Sequence, residues 1–151
     1  LIALNQGEYE SEETENKIID AVLLNQTGEG CWNEWDDTIQ TTANAISGLS
    51  FYYNTNEKVK TAVDKALVYL SSAQKPDGSF DAYGYGADSN TQAMVVTALS
   101  AVGIDADKDD RFIKNGISVY DALMSYSLGD ATGFGYNDNI TKNDKYVFTL
   151  L

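Results

Sequence analysis

Carboxylates are the most plentiful titratable groups in this chain, and they cluster. The stretch NEWDDTIQT sets Glu34, Asp36 and Asp37 around Trp35, directly ahead of Thr38. A second stretch, IDADKDDRF, presents Asp105, Asp107, Asp109 and Asp110. The chain has no histidine and a single cysteine, Cys31. That removes most zinc sites, the usual Ser–His and Cys–His pairs, and the commonest general base. One cysteine closes no internal disulfide, so the redox compartment stays open. A carboxylic acid that protonates a substrate must be held neutral by its neighbours. Asp36 and Asp37 read instead as an exposed loop and the start of a helix, where carboxylates meet the helix dipole. From Asp105 the Asp-x-Asp-x-Asp spacing matches the opening of a calcium loop. Position six is Asp110 rather than glycine and position twelve is Gly116 rather than glutamate, so the EF-hand reading fails. Helix capping by Asp107 or Asp109 is expected there, with calcium in some other loop geometry as the alternative.

The 151 residues make one domain's worth of chain, long enough to bury a core. A hydrophobic fraction of 43% and a mean hydropathy of -0.31 fit a globular protein. No apolar run approaches the roughly 20 residues of a membrane span, and no basic, apolar-cored leader is visible at the start, so any signal peptide is expected to be removed or to lie outside this sequence. Ten basic residues face 23 acidic ones, a net charge of -13. Such a surface repels nucleic acid and anionic membranes, which excludes both as expected partners. Five glutamates crowd GEYESEETEN, read as an exposed loop leading into a helix.

The elements that position these residues repeat. Gln26-x3-Gly30-x-Trp32 returns as Gln74-x3-Gly78-x-Phe80, 48 residues on. Downstream, TTANAISGLS aligns with TQAMVVTALS at an offset of 50, pairing Ala43 with Ala93, Ile46 with Val96 and Leu49 with Leu99. A degenerate third copy in DALMSYSLGDATGFGY places Ser127 where the glutamine belongs and begins its turn at Gly133. Two kinds of helix alternate. In NEKVKTAVDKALVYLSSAQ, Val59, Ala62, Val63, Ala66, Leu67, Leu70 and Ala73 make one stripe of 3.6-residue period. Thr55 or Asn56 can cap its start, and Pro76 forbids its continuation. ETENKIIDAVLLNQ and NGISVYDALMSYS have the pattern of the same outer element. TTANAISGLSFYY and TQAMVVTALSAVG are small and apolar nearly all round, the mark of an inner, buried helix, and Gly103 can end the second. SFDAYGYGADS reads as irregular loop.

This order predicts an all-α chain of alternating inner and outer helices, an α/α solenoid or toroid. The expected organisation is one domain over 1–151, in units of roughly 5–52, 53–103 and 104–151. LIALNQGEY resembles the tail of an inner helix and KYVFTLL the beginning of another. A fragment of a longer array is therefore expected, with dimerisation as one way to close the toroid.

Tyr69-Leu70-x3-Gln74-x3-Gly78-x-Phe80 resembles the "QW" repeat of the α/α-toroid superfamily of prenyltransferases and squalene or terpene cyclases. Ala21-Val22-x3-Gln26-x3-Gly30-x-Trp32 fits it except at its first position. From about Val59 to Tyr136 the chain is most similar to prenyltransferase-like repeats of secreted or surface-anchored proteins of Gram-positive bacteria, and more distantly to the toroid of cobalamin carriers. The resemblance implies the fold, and a secreted or cell-surface location. In the cyclases an Asp-x-Asp-Asp-Thr-Ala acid motif opens an inner helix. Glu34-Trp35-Asp36-Asp37-Thr38 imitates four of its positions, but the register falls on Thr42-Ala43, preceded by Gln40 and Thr41. The zinc set of the protein prenyltransferases lacks its histidine here, and the Cys-Gly-Glu-Gln of thioester proteins is missing from GEGCW.

Aromatic residues supply the binding expectation. Trp32, Trp35, Phe80, Tyr83 and Tyr85 all precede inner helices. Trp32 and Phe80 belong to the repeat motif with Gln26, Gly30, Gln74 and Gly78, and are expected to pack. Trp35, Tyr83 and Tyr85 have no periodic reason to be aromatic. With Asp36 and Asp37 they are the expected rim of a ligand site at one end of the fold. The reading is of a non-catalytic extracellular binding or scaffold domain for a small molecule, a glycan or a protein, with no metal and no cofactor. A cobalamin-binding domain is the first alternative, and a prenyltransferase- or cyclase-like enzyme the second.

Overall fold

The computed structural model describes residues 1, 12–35, 37–129 and 133–136. Four longer helices carry the fold: α1 (Glu12–Leu24), α2 (Thr38–Leu49), α3 (Glu57–Ala73) and α4 (Ser89–Ala101). A two-stranded antiparallel hairpin follows, β1 (Ile113–Lys114) and β2 (Ile117–Ser118), and leads into the short helix α5 (Val119–Met124). Helices α2 and α4 pack on each other, α1 packs on α3, α3 contacts α2, and α5 lies against α4.

Local chemistry fixes these bounds. Asn56 caps α3 by accepting from the amides of Lys58 and Val59 at 3.0 and 3.3 Å. Gln74 takes an extended backbone at its other end, two residues ahead of Pro76. The buried face of α3 is Val59, Ala62, Val63, Ala66, Leu67 and Leu70, the stripe that its period prescribes. Helix α2 buries Ile39, Thr42, Ala43, Ile46 and Leu49. Its opposite face and that of α4 are not enclosed: Asn44 and Thr97 are exposed, and Ala45 and Met94 are half-buried. A small and largely apolar composition therefore does not bury these helices all round.

Between α1 and α2, and again between α3 and α4, the chain makes the same hinge. Gln26 Nε2 donates to the Gly30 carbonyl at 2.9 Å and to the Ala62 carbonyl of α3 at 2.8 Å. Gln74 Nε2 donates to the Gly78 carbonyl and to the Phe112 carbonyl, both at 2.9 Å. The Thr27 amide meets the Cys31 carbonyl at 2.9 Å, as the Lys75 amide meets the Ser79 carbonyl at 2.8 Å. The aromatic that follows is sunk in the core, Trp32 at 4% exposure and Phe80 at 0%. Its backbone is paired by the inner helix. Thr42 Oγ1 bonds both the amide and the carbonyl of Trp32, and the Gln92 side chain bonds both groups of Phe80 at 2.8 Å. The hinge glycines have positive φ, 93° at Gly30 and 79° at Gly78. A Cβ on Gly78 would stand 2.8 Å from the Ser118 carbonyl oxygen, and one on Gly30 2.9 Å from that of Lys65.

The third unit departs from the all-α expectation. NGISVYDALMSYS is helical only over Val119–Met124: at its start Asn115 and Gly116, at φ 51° and 81°, turn the chain between β1 and β2. An Asn-Gly pair favours a two-residue turn whose twist suits a hairpin, and that preference overrides the helical period. Ser118 then caps α5 with a reciprocal capping box to Asp121. Segments LIALNQGEY and KYVFTLL, apart from Leu1, lie outside the described residues, as does the first half of GEYESEETEN, whose second half opens α1.

Gly78→Ala is expected to lower stability by about 1–3 kcal/mol through backbone strain and the carbonyl clash. Gly28→Ala, with nothing within 4 Å of the new methyl, should stay within about 0.5 kcal/mol of the parent. Urea unfolding of the two variants checks the difference. Gln92→Leu strands the buried Phe80 amide and carbonyl. It should cost about 2–4 kcal/mol, lowering Tm by about 2–4 °C per kcal/mol in a chain of this size, read by calorimetry.

Candidate functional site

The rim is built on the N-terminal ends of α2 and α4. Asp37 and Asp88 cap these helices with extended backbones, accepting from the amides of Gln40 at 2.9 Å and Thr91 at 2.8 Å. A side-chain relay ties the two ends together: Gln40 Nε2 donates to Thr91 Oγ1 at 2.7 Å, and Thr91 Oγ1 donates to Asp88 Oδ2 at 2.8 Å. Tyr69 Oη reaches from α3 to Thr38 Oγ1 at 2.8 Å, fastening the outer helix to the same end.

Two loops rise from this base. In the first, the Asp37 amide closes a turn onto the Glu34 carbonyl at 3.0 Å, and Trp35 occupies it at φ 56°. Left-handed backbone is an outlier for so large a side chain. Trp35 is 90% exposed. In the second loop Asp81 is the organising group. Its Oδ1 accepts from the Gly84 amide at 2.7 Å, and its Oδ2 from the Gly86 amide at 3.1 Å and Lys75 Nζ at 2.9 Å. Folding around that carboxylate turns Tyr83 and Tyr85 outward, 51% and 96% exposed. Tyr83 Oη then donates to Asp37 Oδ2 at 3.0 Å and joins the two loops. The Ser89 amide donates to the Tyr136 carbonyl at 2.9 Å, which brings residues 133–136 to the same end.

The expected rim residues thus divide. Trp35, Tyr83 and Tyr85 project from neighbouring loops. Asp37 is buried, with both oxygens accepting hydrogen bonds from Gln40 and Tyr83, so it serves as a cap and a tether rather than as part of an exposed loop. Asp36 lies outside the described residues. Sequence reasoning overlooks Asp81, Asp88, Gln40 with Thr91, and Tyr136. A signal for Asp81 is present in Asp81-x-x-Gly84-x-Gly86, since aspartate followed by glycines favours turns closed on its own side chain.

Electrostatics follow from these bonds. Partial burial raises the Asp81 carboxyl, but Lys75 and the Gly86 and Gly84 amides outweigh it and hold the group below 3.8. The Tyr83 hydroxyl is pushed above 10.0, first by its hydrogen bond to Asp37 and then by that carboxylate's charge. In the second acidic stretch two carboxylates are paired internally and Asp107 accepts from Ser118. Asp105 bonds Lys108 and the Asp107 amide, and Asp109 caps the short helical turn Asp110–Phe112 while holding the Arg111 guanidinium. Among the described residues no group of three or more His, Cys, Asp or Glu side chains is placed to hold a metal ion, and no helix is long and apolar enough to cross a membrane.

Surface grooves lie elsewhere. One, of about 450 Å³, runs between α1 and α3 along Leu23, Gln26, Thr61 and Lys65. Another, of about 620 Å³, is lined by Val96, Ile104, Asp105, Asp107 and Tyr120. Neither includes Trp35, Tyr83 or Tyr85. No protein-family model and no curated protein matches this chain.

Because the folded Asp81 carboxyl titrates below its unfolded value, its contribution to loop order is complete above pH 3.8 and fades as pH falls through the lower folded value. The Gly84 and Gly86 amide resonances should follow that titration with a midpoint below 3.8, and Asp81→Asn should abolish it. A midpoint at or above the unfolded value would contradict the bonding described.

Proposed function

We propose that the chain forms part of an α/α toroid and works as a non-catalytic binding or scaffold domain of a secreted or surface-exposed protein. The loops ahead of α2 and α4 are its contact rim. The alternation of α1 and α3 with α2 and α4, and the hinge repeated bond for bond, support the toroid reading. One observation carries the binding reading: Trp35 and Tyr85 stand 90% and 96% exposed on loops that are otherwise tightly hydrogen-bonded. Large aromatics held outward by an ordered loop lose little conformational entropy on contact, and aromatic side chains are enriched where proteins bind partners. Backbone strain at Trp35 supports the same reading, since strained residues persist where surrounding structure holds them and gather at functional sites. The capping role of Asp37 supports the non-catalytic part, because each of its oxygens holds a structural partner, Gln40 or Tyr83.

The test is a titration of neutral oligosaccharides, short basic peptides and cobalamin, followed by tryptophan emission. Trp32 is buried at 4% exposure, so contact at the rim reports through Trp35. The oligosaccharides or the peptides should shift the emission, and cobalamin should not. Trp35→Asn with Tyr85→Ser should weaken binding of the class that does, read by calorimetry, at least about tenfold, the loss of about 1.4 kcal/mol. Asparagine tolerates left-handed backbone, so the helical circular dichroism should not change. Ligands that bind parent and variant alike would overturn the rim. Cobalamin binding or turnover of a prenyl diphosphate would replace the reading with one of its alternatives.

A further inference from the structure

We propose that the occupant of this rim is a basic protein segment, whose lysine and arginine side chains lie on the exposed faces of Trp35, Tyr83 and Tyr85. The inference rests on the rim being a contact surface and adds the chemistry of its partner.

Aromatic faces alone would serve a sugar, an apolar side chain or a cation. The charges around them discriminate. In the described residues of segments 33–37 and 75–88, Glu34, Asp37, Asp77, Asp81 and Asp88 stand against Lys75 alone, and Lys75 is already paired with Asp81. The whole chain carries a net charge of -13. A negative field over exposed indole and phenol rings suits cations twice over: the field gathers them, and the negative faces of the rings hold them. A glycan instead needs hydrogen-bonding groups converging on its hydroxyls. Here four of the five carboxylates already accept hydrogen bonds within the protein, and the fifth, the exposed Glu34, is a single acceptor rather than a converging set. Asp37 accepts from Gln40 and Tyr83, Asp88 from Thr91 twice, Asp77 from Ser79 twice, and Asp81 from Lys75, Gly84 and Gly86. Hydrogen bonds within the protein use up directional capacity but leave the negative charge in place. Attraction therefore comes from the summed field and the ring faces, which favours long, flexible cationic side chains over a rigid set of hydroxyls. The rim rings stand open to solvent, Trp35 at 90% and Tyr85 at 96% exposure, so they present a surface. An extended segment of another protein fits such a surface, and arginine is the cation most often found over aromatic rings.

The experiment titrates the whole chain with a hexapeptide of alternating glycine and arginine, with its citrulline analogue and with a neutral β-linked hexasaccharide, following Trp35 emission and amide shifts. The arginine peptide should shift the Trp35 emission and bind at least tenfold tighter than the citrulline peptide. Its affinity should fall severalfold when salt rises from 50 to 200 mM. Trp35→Asn with Tyr85→Ser should weaken it at least tenfold. Glu57→Gln with Asp105→Asn, which removes two carboxylates at the other end of the fold, where α2 and α4 finish, should leave it within twofold. Equal binding of the arginine peptide to the rim variant and the parent would mean attraction to net charge only and would overturn the proposal. So would equal binding of the citrulline peptide, or no binding of the arginine peptide. A shift of Trp35 by the hexasaccharide but not by the arginine peptide would overturn the cationic partner while leaving the rim a contact surface.

Discussion

Everything in this fold depends on pairing the backbone of two buried hinges. An irregular segment that crosses between helices carries amides and carbonyls with no ladder of their own, and burial without partners is costly. Here each hinge is satisfied from two sides. A glutamine amide just past the outer helix, Gln26 or Gln74, bonds the hinge glycine carbonyl and then a carbonyl of the following unit, Ala62 in α3 or Phe112 in the turn before β1. A polar side chain on the inner helix, Thr42 or Gln92, bonds both backbone groups of the plugged aromatic. The glutamine thus links one unit to the next, and the inner residue links the hinge to its own helix. Stacking order and helix register follow from bonds that only this arrangement completes.

That device also sets the stiffness of the rim. Once Trp32 and Phe80 are fixed, the chain has a short distance to run before the caps Asp37 and Asp88. Those caps are bound into a common end by Gln40, Thr91 and Tyr83. The two loops that carry the exposed aromatics therefore stand on a base whose geometry the core determines. Their side chains meet solvent, yet their backbones are tethered by Asp37 and Asp81.

Much of this is legible in the sequence, for identifiable reasons. The glutamine–glycine–aromatic spacing marks a motif whose bonds are local, so the twin hinges can be read from types and offsets. Helix α3 is legible because its stripe, its Asn56 cap and Pro76 agree. The β1–β2 hairpin takes the start of the outer helix expected there and leaves only Val119–Met124 helical, because the Asn115-Gly116 pair is a local turn signal that dominates a helical period over so short a span. Thr42 and Gln92 align with each other, yet their task is hidden. Their partners are twelve or fewer residues away in sequence but are paired only after the inner helix packs back on the hinge. The exposure of Trp35 and its positive φ are illegible, since neither composition nor period specifies which way a loop side chain turns. The tether from Tyr83 to Asp37 spans 46 residues and belongs to tertiary structure alone.

The division between buried and exposed aromatics has a structural logic. From the hinge aromatic to the cap the chain takes five residues in one unit, Trp32 to Asp37, and eight in the next, Phe80 to Asp88. From the cap to the inner residue that pairs the hinge it takes five in one, Asp37 to Thr42, and four in the other, Asp88 to Gln92. The hinges are separated by 48 residues and the inner helices by 50, so the extra length enters between hinge and cap. That segment differs in length between the two units while both hinges keep their pairing to the inner helix. Loops are tolerant of such change and are where proteins carry recognition on a rigid scaffold. Aromatics inside the repeat motif are drawn into the core by its bonds. Aromatics in the variable segment escape that demand, and Trp35, Tyr83 and Tyr85 are all found there.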